Sequence, residues 1–207
     1  MSFELHNVDC LEFMRSMPDK SVDAVITDPP YGIGVTKMQL GNGAHKIYRG
    51  EADWDISPTN ELFEEIQRVS NFQIIWGGNY FANALPNSRC WLFWDKHTGG
   101  NSFADGELAW TNLDSVVKLF NQAWVGANAK DTAERFHPTQ KPISLMKWCI
   151  DLSGAQTIFD PFMGSGTTGV ACMQLGRNFI GCEIDPNYYA IAERRIKQAA
   201  MQEVMFT

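Results

Sequence analysis

Residues Ile158–Gly169 read IFDPFMGSGTTG, and the stretch has a clear grammar. A short apolar, β-type run ends on a carboxylate, Asp160. Gly164 and Gly166 then open a helical segment, GTTGVACMQLG, and NFIGCEI follows as a second strand-type run. Strand, tight turn, helix and strand in this order form a parallel unit. The same alternation extends outward in both directions. FELHNVDC reads as a short strand, LEFMRSMP as a helix stopped by Pro18, SVDAVITDPP as a buried parallel strand, and PTNELFEEIQRVS as a helix capped at Thr59 or Asn60. FQIIWGG and CWLFWDK are two more buried-type strands, PISLMKWCIDLS is a helix ending at Gly154, and PNYYAIAERRIKQAA is a closing helix. ELAWTNL and VVKLFNQAW, joined by Asp114 and Ser115, predict a hairpin that adds an antiparallel strand at one edge. The expected class is α/β, with a doubly wound, mostly parallel sheet.

Composition bounds what such a sheet can do. The chain has 207 residues with 44% apolar content, enough for one sizeable core, so a single domain over 1–207 is expected. A formal net charge of −7 argues against a broad nucleic-acid footprint, so any such contact must be local. Cys10, Cys90, Cys149, Cys172 and Cys182 show no CxxC spacing and mostly sit in apolar runs, which reads as reduced core cysteines. No metal site is expected. The opening Met-Ser-Phe-Glu carries no leader pattern, and no apolar run approaches a membrane span, so a soluble cytoplasmic protein is expected.

Two stretches carry chemistry. At Ile158–Gly169 the glycines allow a turn that bares backbone amides and a helix N-terminus toward something polar or anionic. About twenty residues on, Glu183 closes the next strand, where a carboxylate can accept both hydroxyls of a ribose. The run lacks the GxGxxG of a dinucleotide site and the Gly-Lys-Ser/Thr of a phosphate loop, so a ribose-bearing ligand without a pyrophosphate fits better. A tight turn with no ligand is the plain alternative. The second stretch, VDAVITDPPYGIG at Val22–Gly34, ends a buried strand on Asp28, Pro29, Pro30 and Tyr31. The proline pair fixes two φ angles and biases Asp28 and Pro29 away from the helical region, so acceptors there are held rigid.

Asp160-Pro161-Phe162-Met163-Gly164-Ser165-Gly166 and Asp28-Pro29-Pro30-Tyr31, with HPTQKP at His137–Pro142 and NVDCLEFM near the start, resemble the S-adenosylmethionine-dependent DNA amino-methyltransferases. The DPPY element precedes the glycine-rich one, which resembles the permuted beta-group order, and the resemblance covers nearly the whole chain. It implies a Rossmann-like fold, S-adenosyl-L-methionine as cofactor and DNA as partner. It also implies site roles: Gly164 and Ser165 at the methionine portion with Phe162 and Gly166 in the same turn, Asp160 near the amino group, and Glu183 on the ribose. Asp9 and Cys10 would bracket the adenine, and His137, Thr139 and Lys141 would close over the methionine carboxylate. Each has a structural alternative: Asp9 as a cap, His137 as a turn residue before Pro138, Lys141 as a solvated side chain.

An exocyclic amine is a poor nucleophile because its lone pair is delocalised into the ring. Asp28 and the Pro29 carbonyl can each accept one of its N–H groups, drawing the lone pair out of conjugation and offsetting the charge that develops. Tyr31 offers a ring face to a base flipped from the duplex. In the family, DPPY leans to adenine N6; cytosine N4, a protein glutamine and a non-catalytic relic are the rivals. Residues 32–57 form the longest stretch without periodicity and are a candidate DNA-contact loop, with Lys37, His45, Lys46, Tyr48 and Arg49 beside the target. A second wall is expected from Trp94–Trp110, with Lys96 and His97, whereas Trp76, Trp91, Phe93 and Trp94 read as core. Val125–Phe136 is too short for a separate reading module, so recognition should be short or relaxed. A homodimer could enlarge the contact surface.

Overall fold

The structure, a computed structural model, describes residues 1–33, 56–98, 104–123 and 140–204. Among these, the strands are β1 (Phe3–His6), β2 (Val22–Thr27), β3 (Ser70–Trp76), β4 (Trp91–Asp95), β5 (Gly106–Thr111), β6 (Lys118–Asn121), β7 (Thr157–Asp160) and β8 (Asn178–Cys182). The α-helices are α1 (Cys10–Ser16), α2 (Asn60–Val69), α3 (Ile143–Ser153), α4 (Thr167–Gln174) and α5 (Pro186–Val204), with a 3-10 turn at Gly78–Tyr80. Local chemistry explains most boundaries. The Asp9 carboxylate accepts from the amides of Leu11 and Glu12 at 2.9 and 3.0 Å and starts α1. Asp185 accepts from Asn187 and Tyr188 to start α5, with Pro186 at its first position. Gly154, at φ 64°, closes α3 in the left-handed conformation.

The strands form one sheet in the order β1-β8-β7-β2-β3-β5-β4-β6. β1, β8, β7, β2 and β3 pair in parallel, and β5 runs antiparallel to both β3 and β4. Helices cover the two faces. Ile26, Ile74, Trp76 and Leu92 pack with Leu145 of α3, Val170 of α4 and Ile196 of α5. On the other face Val25, Ile75 and Phe159 pack with Met14 of α1 and with Leu62, Phe63 and Ile66 of α2. Burial on both faces is why these strands read as continuous apolar runs.

The hairpin expectation is corrected in one respect. β5 and β6 do not pair: β5 is inserted between β3 and β4, and β6 lies beyond β4, parallel to it. Ala109, Trp110 and Thr111 are almost fully buried, which an edge strand could not achieve. Both hydrogen-bonding edges of β5 are therefore taken before β6 returns.

β7 leads through α4 to β8 on one side of the sheet, and β2 leads through α2 to β3 on the other. β7 and β2 are adjacent, so the strand order reverses between them and a crevice opens at their carboxyl ends. No helix among the described residues is long and apolar enough to cross a membrane.

Candidate active site

The order of strands sets out the candidate residues along one end of the sheet. From β1 to β2 it presents Asp9 and Cys10, then Glu183, then Asp160 with its glycine turn, then Asp28. Two strand steps, about 10 Å, separate Glu183 at the end of β8 from Asp28 at the end of β2.

Asp160 is a brace. It is 3% exposed; Thr27 and Phe162 donate to its Oδ1 at 2.7 and 3.1 Å, and Thr168 donates to its Oδ2 at 2.6 Å. Burial pushes its carboxyl up to about 6, against the pull of those hydroxyl and amide donors. The two glycines that follow do different work. A Cβ on Gly164 would meet nothing nearer than the Phe162 carbonyl at 4.0 Å, so the turn borders open space. A Cβ on Gly166 would stand 2.9 Å from that of Ala192, so that glycine lets α5 approach. The sequence reading gave both glycines to the ligand side.

Glu183 is half-buried, and its carboxylate accepts from the Gly164 amide at 3.0 Å and from the Asp185 amide at 2.8 Å. Burial raises its pKa, and the backbone donors oppose the shift. Cys10 is buried beside Asp9 and Glu183, and burial pushes its thiol up to about 12, so it stays a neutral wall. Ser165 is held by Arg195 of α5, whose guanidinium donates to the Ser165 hydroxyl at 3.0 Å and also to its carbonyl. The Ser165 hydroxyl donates to Gln140 at 3.3 Å. Phe162 packs at the margin of the core around Phe159.

Asp28 shows a different environment. Its side chain is 24% exposed; the Tyr31 hydroxyl donates to Oδ1 at 2.6 Å and the Lys141 ammonium to Oδ2 at 2.5 Å. Lys141, 6% exposed, also lies 2.9 Å from Oε2 of Glu107, and Lys96 pairs with the other oxygen of Glu107. Burial raises the Asp28 carboxyl, with Lys141 opposing and Glu107 reinforcing the shift. Burial would also raise Glu107, but Lys141 and Lys96 outweigh it and bring the group down to about 2. Lys141 is desolvated, yet Asp28 and Glu107 hold its pKa well above the usual lysine value. The Tyr31 ring stacks on Tyr80 with centroids 4.8 Å apart and 21° between planes. Gly77, at φ 70°, permits this seat, because a Cβ there would fall 2.1 Å from the Tyr31 ring.

Lys141, which the resemblance implied would close over a methionine carboxylate, lies against Asp28 and Glu107, while its neighbour Gln140 accepts from Ser165 of the glycine turn. Glu107, Tyr80 and Arg195 were missed by sequence reasoning. Only Glu107 left a signal, as an ionisable residue at the head of an apolar strand. Lys96, expected on a second wall, joins Glu107. Trp76 and Trp94 are core, as expected. His137 and Thr139, and Lys37, His45, Lys46, Tyr48 and Arg49, lie outside the described residues, as does the Val125–Phe136 interval. Among the described residues no group of three or more His, Cys, Asp or Glu is arranged to hold a metal ion.

Comparison with known proteins agrees with this geometry. A family model described as DNA methylase matches residues 111–194. The chain is 27% identical over 244 residues to the type II methyltransferase M2.MboI of Moraxella bovis, covering 94% of this chain and 87% of that one. It is 24% identical over 245 residues to the type II methyltransferase M.HinfI of Haemophilus influenzae, covering 92% and 67%. In fold it is similar to M1.HpyAVI in complex with SAM, with TM-score 0.60, 21% identity and coverage of 94% and 98%. The cytosine-N4-specific PvuII DNA methyltransferase shares the fold at TM-score 0.61 and 15% identity, covering 98% and 92%. With a carboxylate-Pro-Pro-Tyr strand end seated one strand from a glycine turn that borders open space, the chain is similar over nearly its whole length to these type II methyltransferases, and its residues 111–194 match the DNA methylase family model.

Proposed function

We propose that the protein methylates the N6 amino group of adenine in DNA, and that its described residues hold S-adenosylmethionine across the ends of β1, β8 and β7. The observation that carries the reading is the adjacency of β2 and β7, which sets Asp28 beside the open space at Gly164. The residues present suit the cofactor: a neutral thiol wall at Cys10, an acidic strand end at Glu183, and a turn whose cradle a side chain on Gly164 would fill. When bound, S-adenosylmethionine supplies an electrophilic methyl group, its sulfur retaining the bonding pair.

The chain's own residues then prepare the nucleophile. Asp28 accepts one N–H of the target amine, and the Pro29 carbonyl accepts the other. The nitrogen lone pair is released from conjugation, the positive charge growing on nitrogen is offset by an acceptor already in place, and the surplus N–H proton is lost to solvent beside the part-exposed Asp28 once the methyl has transferred. Tyr31, pinned by Asp28 and by Tyr80, supplies an aromatic face for the flipped base. An aspartate at the first position of the motif supports adenine, following the lean of the family. Labelled cofactor, protein and unmethylated DNA, followed by digestion to nucleosides, tests the reading: N6-methyladenine is expected. N4-methylcytosine alone would shift the substrate, and no labelled base would remove the function.

A further inference from the structure

Lys141 is an ammonium almost without solvent, set between two carboxylates that come from different strands. A buried cation is costly unless paired, and an apolar residue would fill the same space with less penalty. The four groups Lys96, Glu107, Lys141 and Asp28 alternate in sign and sum to zero. Without Lys141, two carboxylates would share one poorly solvated pocket, and one of them would take up a proton. A protonated Asp28 would donate a hydrogen bond where the reaction needs an acceptor.

We infer that Lys141, held from its far side by Glu107, is a positioning residue of methyl transfer: its ammonium keeps Asp28 ionised and fixes the orientation of its carboxylate. This rests on the reading of Asp28 as the acceptor for the target amine. Among the described residues each Asp28 oxygen has one partner, Tyr31 on Oδ1 and Lys141 on Oδ2, which leaves a second lone pair on each for the amine. Lys141 is itself confined by the Tyr31 hydroxyl at 3.4 Å and by the rings of Tyr31 and Trp76, with centroids 5.8 and 5.9 Å away. The titratable and charged groups around this pair, among the described residues, are Tyr31, Asp160 at the end of β7, Glu107 of β5, Lys96 after β4, and Cys149 of α3.

The test compares wild type with Lys141→Met, Lys141→Arg and Glu107→Gln. It measures urea stability, cofactor affinity by calorimetry, and kcat against pH with an unmethylated duplex. Lys141→Met should keep cofactor affinity within about twofold and lose about a hundredfold or more in kcat at neutral pH. The acid limb of its profile should move upward by about one unit, because Asp28 loses its cation. Glu107→Gln should move that limb the other way, since a like charge leaves, while kcat at the plateau falls; Lys141→Arg should recover much of the Lys141→Met loss. If Lys141→Met does not fold, the opposite displacement in Glu107→Gln decides the matter. Profiles unmoved in both variants would overturn the inference. So would a tenfold or greater loss of cofactor affinity with the acid limb unmoved, which would return Lys141 to the methionine carboxylate. Wild type that methylates no base would overturn the functional reading and this inference with it, whereas active wild type with unmoved variants sinks the inference alone.

Discussion

Asp28 and Asp160 end adjacent strands, and what surrounds each carboxylate separates their roles. Asp28 keeps solvent access and an ion pair, so replacing it should act on chemistry. Asp28→Ala is expected to leave cofactor affinity near wild type while kcat falls by about two orders of magnitude or more, the usual effect of losing a group aimed at developing charge. Calorimetry and single-turnover kinetics would read the two quantities separately, and near-normal turnover would remove Asp28 from the mechanism. Asp160 should instead act on stability. Its carboxyl is raised by burial to about 6, so the folded state holds that proton more tightly than the unfolded chain does. Its contribution is therefore greatest below the ordinary aspartate value near 4 and declines as pH rises toward about 6, by at most about 3 kcal/mol. Urea unfolding across that window should show a declining component that Asp160→Asn abolishes. Glu107 contributes with the opposite slope, since its lowered pKa gives stability that is lost as pH falls from the ordinary glutamate range toward about 2.

At the level of elements, the turn between β7 and α4 divides its duties between two glycines that look equivalent in sequence. Gly166 is occupied by packing: a side chain there must push against Ala192 and Ile196 while holding φ 82°. Gly166→Ala should cost about 1–3 kcal/mol through overpacking and left-handed strain, with cofactor binding reduced only as far as the turn shifts. Gly164→Ala meets open protein space at φ 50° and should cost about 1–2 kcal/mol, yet remove most cofactor affinity by filling the ligand's room. Paired urea melts and cofactor titrations would show this inversion. Equal losses of affinity in both variants would mean that the open space at Gly164 is not the cofactor site. The same scale accounts for β5. Its antiparallel run carries Glu107 to the end of the sheet where β2 and β3 finish, although Glu107 opens its strand and Asp28 and Trp76 stand at the ends of theirs.

Across the whole molecule, a net charge of −7 must be reconciled with the DNA substrate proposed above. Binding should rest on local cationic contacts, and we propose that these come from the 32–57 segment with Lys37, Lys46 and Arg49. Phosphate contacts position DNA without reading it, and the short Val125–Phe136 interval offers little for a separate reading module. Affinity should therefore fall steeply with salt, and methylation should spread over many sequence contexts. Mapping modified positions on a genome-sized substrate decides this, and confinement to one motif of five or more fixed bases would refute it.

The alternation of strands and helices was legible in the residues alone, because periodicity, caps and glycine stops are local: Asp9, Asp185 and Gly154 act within a few residues of where they stand. The strand ends that set a carboxylate beside a proline pair or a glycine turn were equally legible, since Asp28-Pro29-Pro30-Tyr31 and Asp160 with Gly164 are contiguous in the chain. The place of β5 between β3 and β4, by contrast, was fixed by long-range packing. Neighbouring runs can pair in several ways, and the outcome depends on which arrangement buries Trp110 and satisfies both strand edges. Long-range packing alone also decided that Lys141 meets Asp28, a residue 113 positions away. No local pattern encodes such a contact, because a buried lysine settles wherever the completed sheet brings carboxylates to compensate its lost hydration.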